Sequence, residues 1–166
     1  DVYKRQMFET GPDNAQTIAR YAQATQRATS GPSSNALAIF VYRLMPNGTD
    51  FTVAADRRLA GINLAFIGRP AQYHSPSSTP QSLDQGSVQH IGSQALEMAD
   101  DLLGAPTLPQ ATQNAVYADV FGLFVVQHSP AIGWVLLTVG VLATAFAAWG
   151  ARHATGLRAT SVVRGA

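Results

Sequence analysis

The sequence predicts part of an α/β domain followed by a C-terminal transmembrane helix. In residues 7–103, short apolar runs bounded by glycine or proline alternate with stretches whose apolar residues recur at helical spacing. This order of strands and helices is typical of a layered α/β domain. Residues 131–150 carry no charge, and a run of this length can cross the hydrocarbon core of a bilayer.

The composition excludes several functional classes. The chain of 166 residues has a formal net charge of +1, which excludes a strongly basic nucleic-acid-binding protein, so we expect no nucleic-acid partner. The absence of cysteine excludes a disulfide scaffold, a cysteine-ligated zinc finger and a thiol nucleophile. Hydrophobic residues make up 46% of the chain, which argues against disorder throughout.

The first six residues differ from the rest of the chain. They contain its only lysine, Lys4, whereas the other basic residues are arginines. We interpret residues 1–6 as a non-native scar and leave them out of the fold prediction; a true N-terminal strand is the alternative. Because there is no initiator methionine and the chain ends in polar, arginine-containing sequence, we expect a fragment of a longer protein.

The first part of the domain should contain a strand and two helices. A strand at residues 6–10 is followed by a helix from about residue 15 to residue 26. A second helix should span residues 36–45 and stop before Pro46. We expect this second helix to be buried through four apolar side chains: Leu37, Phe40, Val41 and Leu44.

The second part of the domain should contain a short helix, a central strand and a long helix. A short helix capped by Thr49 or Asp50 should precede the apolar run 61–68, which predicts a strand buried on both faces. A Pro/Ser-rich loop then leads to a helix at 87–103 that should pack on the sheet through one apolar face: Val88, Ile91, Ala95, Met98, Ala99 and Leu102. Because two strands do not form a stable sheet alone, we expect further strands before residue 7.

The C-terminal part of the chain divides into three segments: a linker and interfacial segment at 104–130, a membrane span at 131–150 and a truncated basic flank at 151–166. Within the first segment, the apolar run 116–126 could lie at the membrane interface or start a hairpin. Trp134 and Trp149 lie near the ends of the span, as interface anchors do. Arginines follow the span, whereas none occurs between Arg69 and the span. The positive-inside rule therefore predicts a cytoplasmic flank, an extracytoplasmic (periplasmic or lumenal) α/β domain and membrane lipid as a partner. A buried core helix of a soluble protein is the alternative.

A few polar residues could take part in chemistry. His74 follows the predicted central strand, at the strand end where open α/β sheets bind ligands, although a solvated loop histidine is the alternative. Asp50 could serve only as a helix cap, and Glu9 as a hydrogen-bonding residue at the end of a strand. His90 falls on the polar face of the last helix and should be solvated. Without a phosphate-binding glycine loop, a serine elbow or an HExxH helix, we expect no self-contained active site.

Four blocks of the sequence, taken in order, resemble one known family. They are Phe-Glu-Thr-Gly-Pro at 8–12, Met-Pro-Asn-Gly-Thr-Asp-Phe at 45–51, the glycine-bounded run at 61–68 and Tyr-His-Ser-Pro at 73–76. Together they look like the C-terminal half of a co-catalytic zinc peptidase of the aminopeptidase and glutaminyl cyclase clan. The membrane-anchored branch, with endoplasmic-reticulum and vacuolar membrane metallopeptidases and bacterial relatives, fits best because a span follows the domain. The resemblance implies a partial three-layer αβα zinc-peptidase domain at residues 7–103.

The resemblance also implies roles for three residues. His74 would be the last ligand of a site for two zinc ions, since zinc takes a neutral imidazole. Tyr73 would polarise the scissile carbonyl and stabilise the tetrahedral intermediate through its phenol group. Asp50 matches an aspartate that lines the pocket near the metals. The substrate would be a peptide, and the chain would belong to an exopeptidase. That this exopeptidase acts at N-termini follows from the resemblance alone.

Two features of the resemblance limit what the chain can do. The family's other metal ligands and its general base would all precede Phe8, so we expect this chain to be inactive in isolation. Ser77–Thr79 stand where many relatives carry an aspartate, and Ala54–Ala55 where they carry an aromatic residue. A non-catalytic peptidase-like binding or receptor ectodomain is the alternative, and an unrelated small membrane protein ranks last.

Overall fold

The computed structural model describes residues 6–46, 48–68 and 70–155. It divides the chain into two compact units, with the boundary between Ser129 and Pro130. Residues 1–5, most of the predicted scar, and residues 156–166, most of the predicted basic flank, lie outside the described residues. Gln6, the last residue of the predicted scar, belongs to the first strand and pairs with Ala65.

Helices and strands alternate in the first unit, which agrees with the predicted α/β class. The elements are, in chain order, β1 (Gln6–Thr10), α1 (Ala15–Thr25), α2 (Ala36–Leu44), α3 (Asp50–Asp56), β2 (Ile62–Ala65), α4 (Gln85–Gly104), β3 (Val116–Val120) and β4 (Phe124–His128). Two 3-10 turns, at Pro70–Gln72 and Pro80–Ser82, lie between β2 and α4.

The strands form two antiparallel pairs, β1 with β2 and β3 with β4. Met7 pairs with Leu64 and Thr10 with Ile62, and a bulge shifts the register of β1 between Met7 and Glu9. All four residues of β2 are half-buried, so the prediction of a strand buried on both faces was wrong for the described part of the chain. Among the described residues β2 has one strand neighbour, β1, and the partial three-layer arrangement stays a prediction.

The core of the first unit lies between β1, the helices and β3. Seven apolar side chains form it: Met7, Ile18, Tyr21, Ala24, Ile39, Met98 and Tyr117. Burial of such side chains from water is the main force that holds the elements together. The participation of Tyr117 shows that the core extends well beyond the predicted domain end at residue 103.

Helix α2 forms where it was predicted, but the prediction of its buried face was wrong. Asn35 caps the helix, its Oδ1 accepting the N–H of Ala38 at 2.7 Å, and Ile39 turns into the core. The four side chains expected inside are exposed because no described element covers them: Leu37, Phe40, Val41 and Leu44. Helix α2 therefore carries an apolar face without a partner in the described residues.

Helix α4 packs mainly on α1, and through polar residues rather than the predicted apolar face. Of that predicted face only Met98 is buried, while Val88 is exposed. His90, expected in solvent, is 4% exposed and lies with its Nε2 2.6 Å from the Nε2 of Gln94. Gln94 in turn accepts the hydroxyl of Tyr21 at 3.2 Å. Hydrophobic periodicity assigns polar side chains to the surface. It missed this face because polar side chains that are hydrogen-bonded to each other can be buried at low cost.

Residues 105–129 belong structurally to the first unit rather than to a separate linker, while a place for this segment at the membrane interface stays a prediction. Asn14 accepts the N–H of Ala115 at 2.9 Å and the N–H of Ala15 bonds to the carbonyl of Gln113 at the same distance. The hairpin suggested for this segment forms as β3 and β4, and Asp119 donates its N–H to the carbonyl of Ser34 at 2.9 Å. These bonds fasten the segment to α1 and to the loop before α2.

The second unit contains one long helix, α5 (Pro130–Thr155), which begins one residue before the predicted span and extends beyond it. It is long and apolar enough to cross a membrane. Thr138 and Thr144 donate their hydroxyls to carbonyls one turn earlier, to Trp134 and Gly140, at 2.8 Å. The polar groups of these two threonines are thus satisfied within the helix, as a lipid environment requires.

Substitution of Gly31 tests how the β3–β4 turn is attached. Gly31 has φ +66°, and a Cβ there would lie 1.9 Å from the carbonyl oxygen of Gly122. We expect Gly31→Ala to lower the free energy of unfolding by about 2 kcal/mol or more. Gly92→Ala is the matched control: it lies in α4 with open space around it and should raise that free energy by about 0.5–1 kcal/mol. Urea titration measures both, and equal effects would contradict the close approach.

The buried tyrosines predict a loss of stability at high pH. Burial raises the pKa of Tyr117 to about 12, and it raises the pKa of Tyr21 as well. In the unfolded chain a tyrosine ionises near pH 10, so the stabilisation is complete below pH 10 and is lost as the pH rises through 12. We expect the free energy of unfolding to fall in this window, and Tyr117→Phe to reduce the slope by about 1.4 kcal/mol per pH unit. An unchanged slope in urea titrations of Tyr117→Phe would contradict its burial.

Candidate active site

The loop after β2 carries the main candidate residues. β2 ends at Ala65, and the 3-10 turn Pro70–Gln72 directly precedes Tyr73 and His74. The N–H and the hydroxyl of Ser75 both donate to the carbonyl of Gln72, at 3.1 and 2.8 Å. Successive tight turns thus fix the backbone on both sides of the tyrosine and the histidine.

His74 and Tyr73 lie together at the surface. Their rings stack with centroids 4.0 Å apart and planes inclined by 25°. His74 has φ 56°, in the left-handed region that histidine adopts more readily than most residues. Both side chains are exposed. The imidazole of His74 and the phenol hydroxyl of Tyr73 are therefore both accessible to a metal ion or a substrate.

An open cleft of about 440 Å³ adjoins Tyr73. Its lining is mainly apolar where β2 and the following residues contribute, through Leu64 and Phe66, and polar where the turns before α4 contribute, through Ser78 and Thr79. A cleft with an apolar wall and a few polar groups is the usual form of a small-molecule or peptide side-chain site.

Asp50 lies apart from the histidine loop in the chain, as the first residue of α3 with Thr49 as the N-cap. The hydroxyl of Thr52 accepts the N–H of Thr49 at 2.8 Å, which closes the first turn of the helix. The Asp50 carboxylate is exposed at the helix N-terminus, where the helix dipole favours a negative charge. Thr49 rather than Asp50 is therefore the cap of α3, and a place for Asp50 in a pocket near the metals stays a prediction.

Glu9 connects the start of α3 with β2, the strand that precedes the Tyr73–His74 loop. Its Oε2 accepts the hydroxyl of Thr49 at 2.7 Å and the side-chain amide of Asn63 at 2.8 Å. One carboxylate oxygen therefore joins β1, the start of α3 and β2. The sequence indicates such a structural role for Glu9, but Asn63 was not identified from the sequence. The signal was available, because Asn63 is the one polar side chain in the apolar run 61–68.

Tyr42 is a second residue that sequence reasoning missed. Its ring meets that of Phe8 edge to face, with centroids 4.9 Å apart. Burial raises the pKa of Tyr42, with smaller contributions from the charges of Glu9 and Tyr73. These contributions place Tyr42 in the electrostatic neighbourhood of both residues. The only signal was its position on α2, between the side chains expected to be buried.

The described residues do not make a complete metal site. Within residues 6–46, 48–68 and 70–155, no three histidine, aspartate or glutamate side chains come together as a metal ion would need. A structural or catalytic zinc ion takes at least three protein ligands. His74 can supply one of them. The described residues can therefore contribute to a zinc site but cannot form one alone.

The comparison with known proteins agrees with the arrangement of the blocks. The profile of peptidase family M28 matches residues 2–99. Human "Endoplasmic reticulum metallopeptidase 1" is 30% identical over 138 residues, which cover 80% of this chain and 15% of the human protein. The "Putative endoplasmic reticulum metallopeptidase 1-A" of Caenorhabditis elegans is 27% identical over 148 residues, covering 84% of this chain and 16% of that protein.

A third relative is a vacuolar membrane protein. "Vacuolar membrane protease" of Lachancea thermotolerans is 28% identical over 130 residues, covering 76% of this chain and 13% of that protein. No solved structure matches the chain. The chain thus spans about 15% of the length of the curated relatives that it matches. The predicted resemblance to membrane metallopeptidases is confirmed, and the chain belongs to peptidase family M28.

Proposed function

We propose that this chain is part of a membrane-anchored, zinc-dependent exopeptidase that removes residues from the N-termini of peptides outside the cytoplasm. The observation that carries the proposal is the Tyr73–His74 pair, held by tight turns after β2 in a chain of the M28 family. Its rings are exposed and stacked, and a cleft with one apolar wall adjoins Tyr73. A metal ligand, a hydrogen-bond donor and a substrate-sized space are therefore neighbours.

Each residue of the pair has a chemical role in this proposal. The His74 imidazole, when neutral, holds one of two zinc ions through a ring nitrogen. The Tyr73 hydroxyl donates a hydrogen bond to the oxygen that becomes negative when the peptide carbonyl is attacked. When bound, zinc would supply Lewis acidity and would lower the pKa of a water molecule that attacks the carbonyl. Asp50, the third residue, is proposed to line the pocket near the metals.

We propose further that the chain is inactive alone and acts together with other polypeptide of the same protein. His74 is one ligand where zinc needs at least three. The β1–β2 pair is too small to be a stable sheet, and the apolar face of α2 has no partner among the described residues. Additional strands would extend this sheet, bring the other ligands and cover α2.

The membrane anchor in this proposal is α5. The 26 residues of the helix span about 39 Å at ~1.5 Å per residue, more than the hydrocarbon core of a bilayer. Arg152 lies in its last turn, and the segment from residue 102 to residue 151 contains no lysine or arginine. The positive-inside rule then assigns the C-terminal end to the cytoplasm and the first unit to the periplasmic or lumenal side.

Replacement of His74 tests the metal role in the complete protein. We expect His74→Ala to lower zinc affinity by more than the ~10–100-fold that loss of an outer-shell partner costs, and to abolish zinc-dependent hydrolysis of peptides. Zinc content by atomic absorption and release of N-terminal residues measure both effects. His128→Ala, which removes a histidine from β4, is the control and should change neither quantity. An active His74→Ala variant with full zinc content would refute the ligand assignment.

Replacement of Tyr73 separates catalysis from metal binding. We expect Tyr73→Phe to lower kcat by about 10²–10³-fold, because it deletes a donor to the developing oxyanion, and to leave the zinc content unchanged. The ring and its stacking on His74 are retained, so a loss of zinc would assign Tyr73 a role in positioning the ligand instead. Unchanged turnover would remove Tyr73 from the mechanism.

The wild-type protein distinguishes the peptidase from the non-catalytic alternative. A protein that binds peptides but neither holds zinc nor hydrolyses them would favour the non-catalytic alternative.

A further inference from the structure

The β3–β4 hairpin exposes an apolar surface that the proposed peptidase reaction does not use. We call it the hairpin patch, and it consists of four side chains with large exposed fractions: Phe121 (90%), Leu123 (69%), Phe124 (44%) and Val126 (47%). Apolar side chains clustered at such exposure mark a binding surface more often than isolated ones do.

The pairing of the strands places apolar side chains on the outer face of the hairpin as well as on the face toward the core. Tyr117 and Val125 belong to the face that packs on the core of the first unit. On the opposite face, Val126 pairs with Ala118 and Phe124 pairs with Val120. A two-stranded ribbon at the surface would ordinarily show polar residues on its outer face. The outer face of this hairpin is instead suited to an apolar environment.

The patch is also almost free of charge. Asp119 is the only aspartate, glutamate, lysine or arginine between Asp101 and Arg152, and His128 is the only histidine there. Its carboxylate is used inside the structure, where it accepts the N–H of Ser34 at 3.0 Å and the N–H of Gly122 at 3.1 Å. The partner of the patch is therefore recognised by apolar contact rather than by charge.

The turn holds Phe121 in an unfavourable backbone conformation. Phe121 has φ 53° and Gly122 has φ 70°, and the N–H of Leu123 closes the turn on the carbonyl of Val120 at 2.9 Å. The left-handed region suits glycine or asparagine, and it disfavours a bulky aromatic residue. The close approach of Gly122 to Gly31 fixes the turn against the first unit. A strained, firmly held and exposed ring indicates selection for contact rather than for stability.

The short connection between the hairpin and α5 indicates which surface the hairpin patch contacts. Only Ser129 separates the end of β4 from the start of α5. Nine residues lead from Phe121 to Pro130, so at ~3.4 Å per residue the turn stays within about 31 Å of the first residue of α5. If α5 crosses a bilayer, the hairpin patch is permanently tethered close to that bilayer.

We propose that the hairpin patch inserts into the interfacial region of the membrane that α5 crosses, as a second, monotopic contact of the first unit. The inference rests on the proposed membrane span. Phe and Leu side chains are favoured at the boundary of headgroups and acyl chains. Since charge does not contribute, zwitterionic lipid suffices and the contact is insensitive to salt. Such a contact restricts the orientation of the first unit, and with it the Tyr73–His74 pair, above the membrane.

The chain is well suited to a test because it contains no cysteine. Single cysteines introduced at Leu123, Val141 and Leu96 each carry a nitroxide label in the full chain, reconstituted into phosphatidylcholine bilayers. Collision rates with oxygen, which partitions into lipid, and with a water-soluble nickel chelate report the surroundings of each label. Val141 lies within α5 and reports the span, while Leu96 is an exposed leucine of α4 and serves as the matched control.

We expect the Leu123 label to favour oxygen over nickel, as the Val141 label does, and the Leu96 label to favour nickel. Addition of Phe121→Gly should shift the Leu123 label toward nickel. This variant relieves the backbone strain, so it should fold at least as well as the parent. The Leu123 ratio should not change between low and high salt.

The other outcomes overturn the proposal in distinguishable ways. A nickel-accessible Leu123 label with a lipid-exposed Val141 label would refute the hairpin contact and leave the span intact. Poor access of both reagents to Leu123 would show that protein, not lipid, covers the patch. A nickel-accessible Val141 label would refute the span and the hairpin contact together.

Discussion

The Glu9 carboxylate is the interaction on which the candidate site depends. A single oxygen accepts hydrogen bonds from Thr49 and Asn63, and so it fixes the start of α3 to both strands of the first sheet. Because β2 leads into the Tyr73–His74 loop and Thr49 immediately precedes Asp50, all three candidate residues extend from elements that this carboxylate joins. A charged acceptor with two donors in a half-buried position makes hydrogen bonds stronger than neutral ones.

The remainder of the first unit is held by polar contacts between α1 and α4 around an apolar core. Arg27 bonds to Glu97 at 2.9 Å, and Arg20 lies 3.4 Å from Asp101, which is itself nearly buried. Tyr21 accepts the N–H of Ser33 at 3.1 Å and reaches Gln94 on α4. Sequence periodicity could locate both helices, but it could not show which face of α4 is buried. That choice depends on partners distant in the chain, and hydropathy alone scores a paired glutamine as a surface residue.

Contacts between residues distant in the chain also limited what the sequence could predict of the candidate site. The Tyr73–His74 pair could be singled out because it follows a strand, and the family blocks supported it. The contributions of Asn63 and Tyr42 could not be foreseen, since they arise from the register of β1 with β2 and from the rotation of α2. The hairpin was foreseen only as one option for an apolar segment. Its attachment through Asp119 and Gly31 depends on a loop almost ninety residues earlier in the chain.

The central claim is that His74 is a zinc ligand of an M28 peptidase. Anomalous diffraction at the zinc absorption edge, from crystals of the complete protein, tests it most directly because the metal is located without reference to activity. We expect an anomalous peak about 2.0–2.1 Å from a ring nitrogen of His74, with the remaining ligands supplied from outside this chain. Zinc sites that are fully occupied while the His74 imidazole lies beyond bonding distance would contradict it.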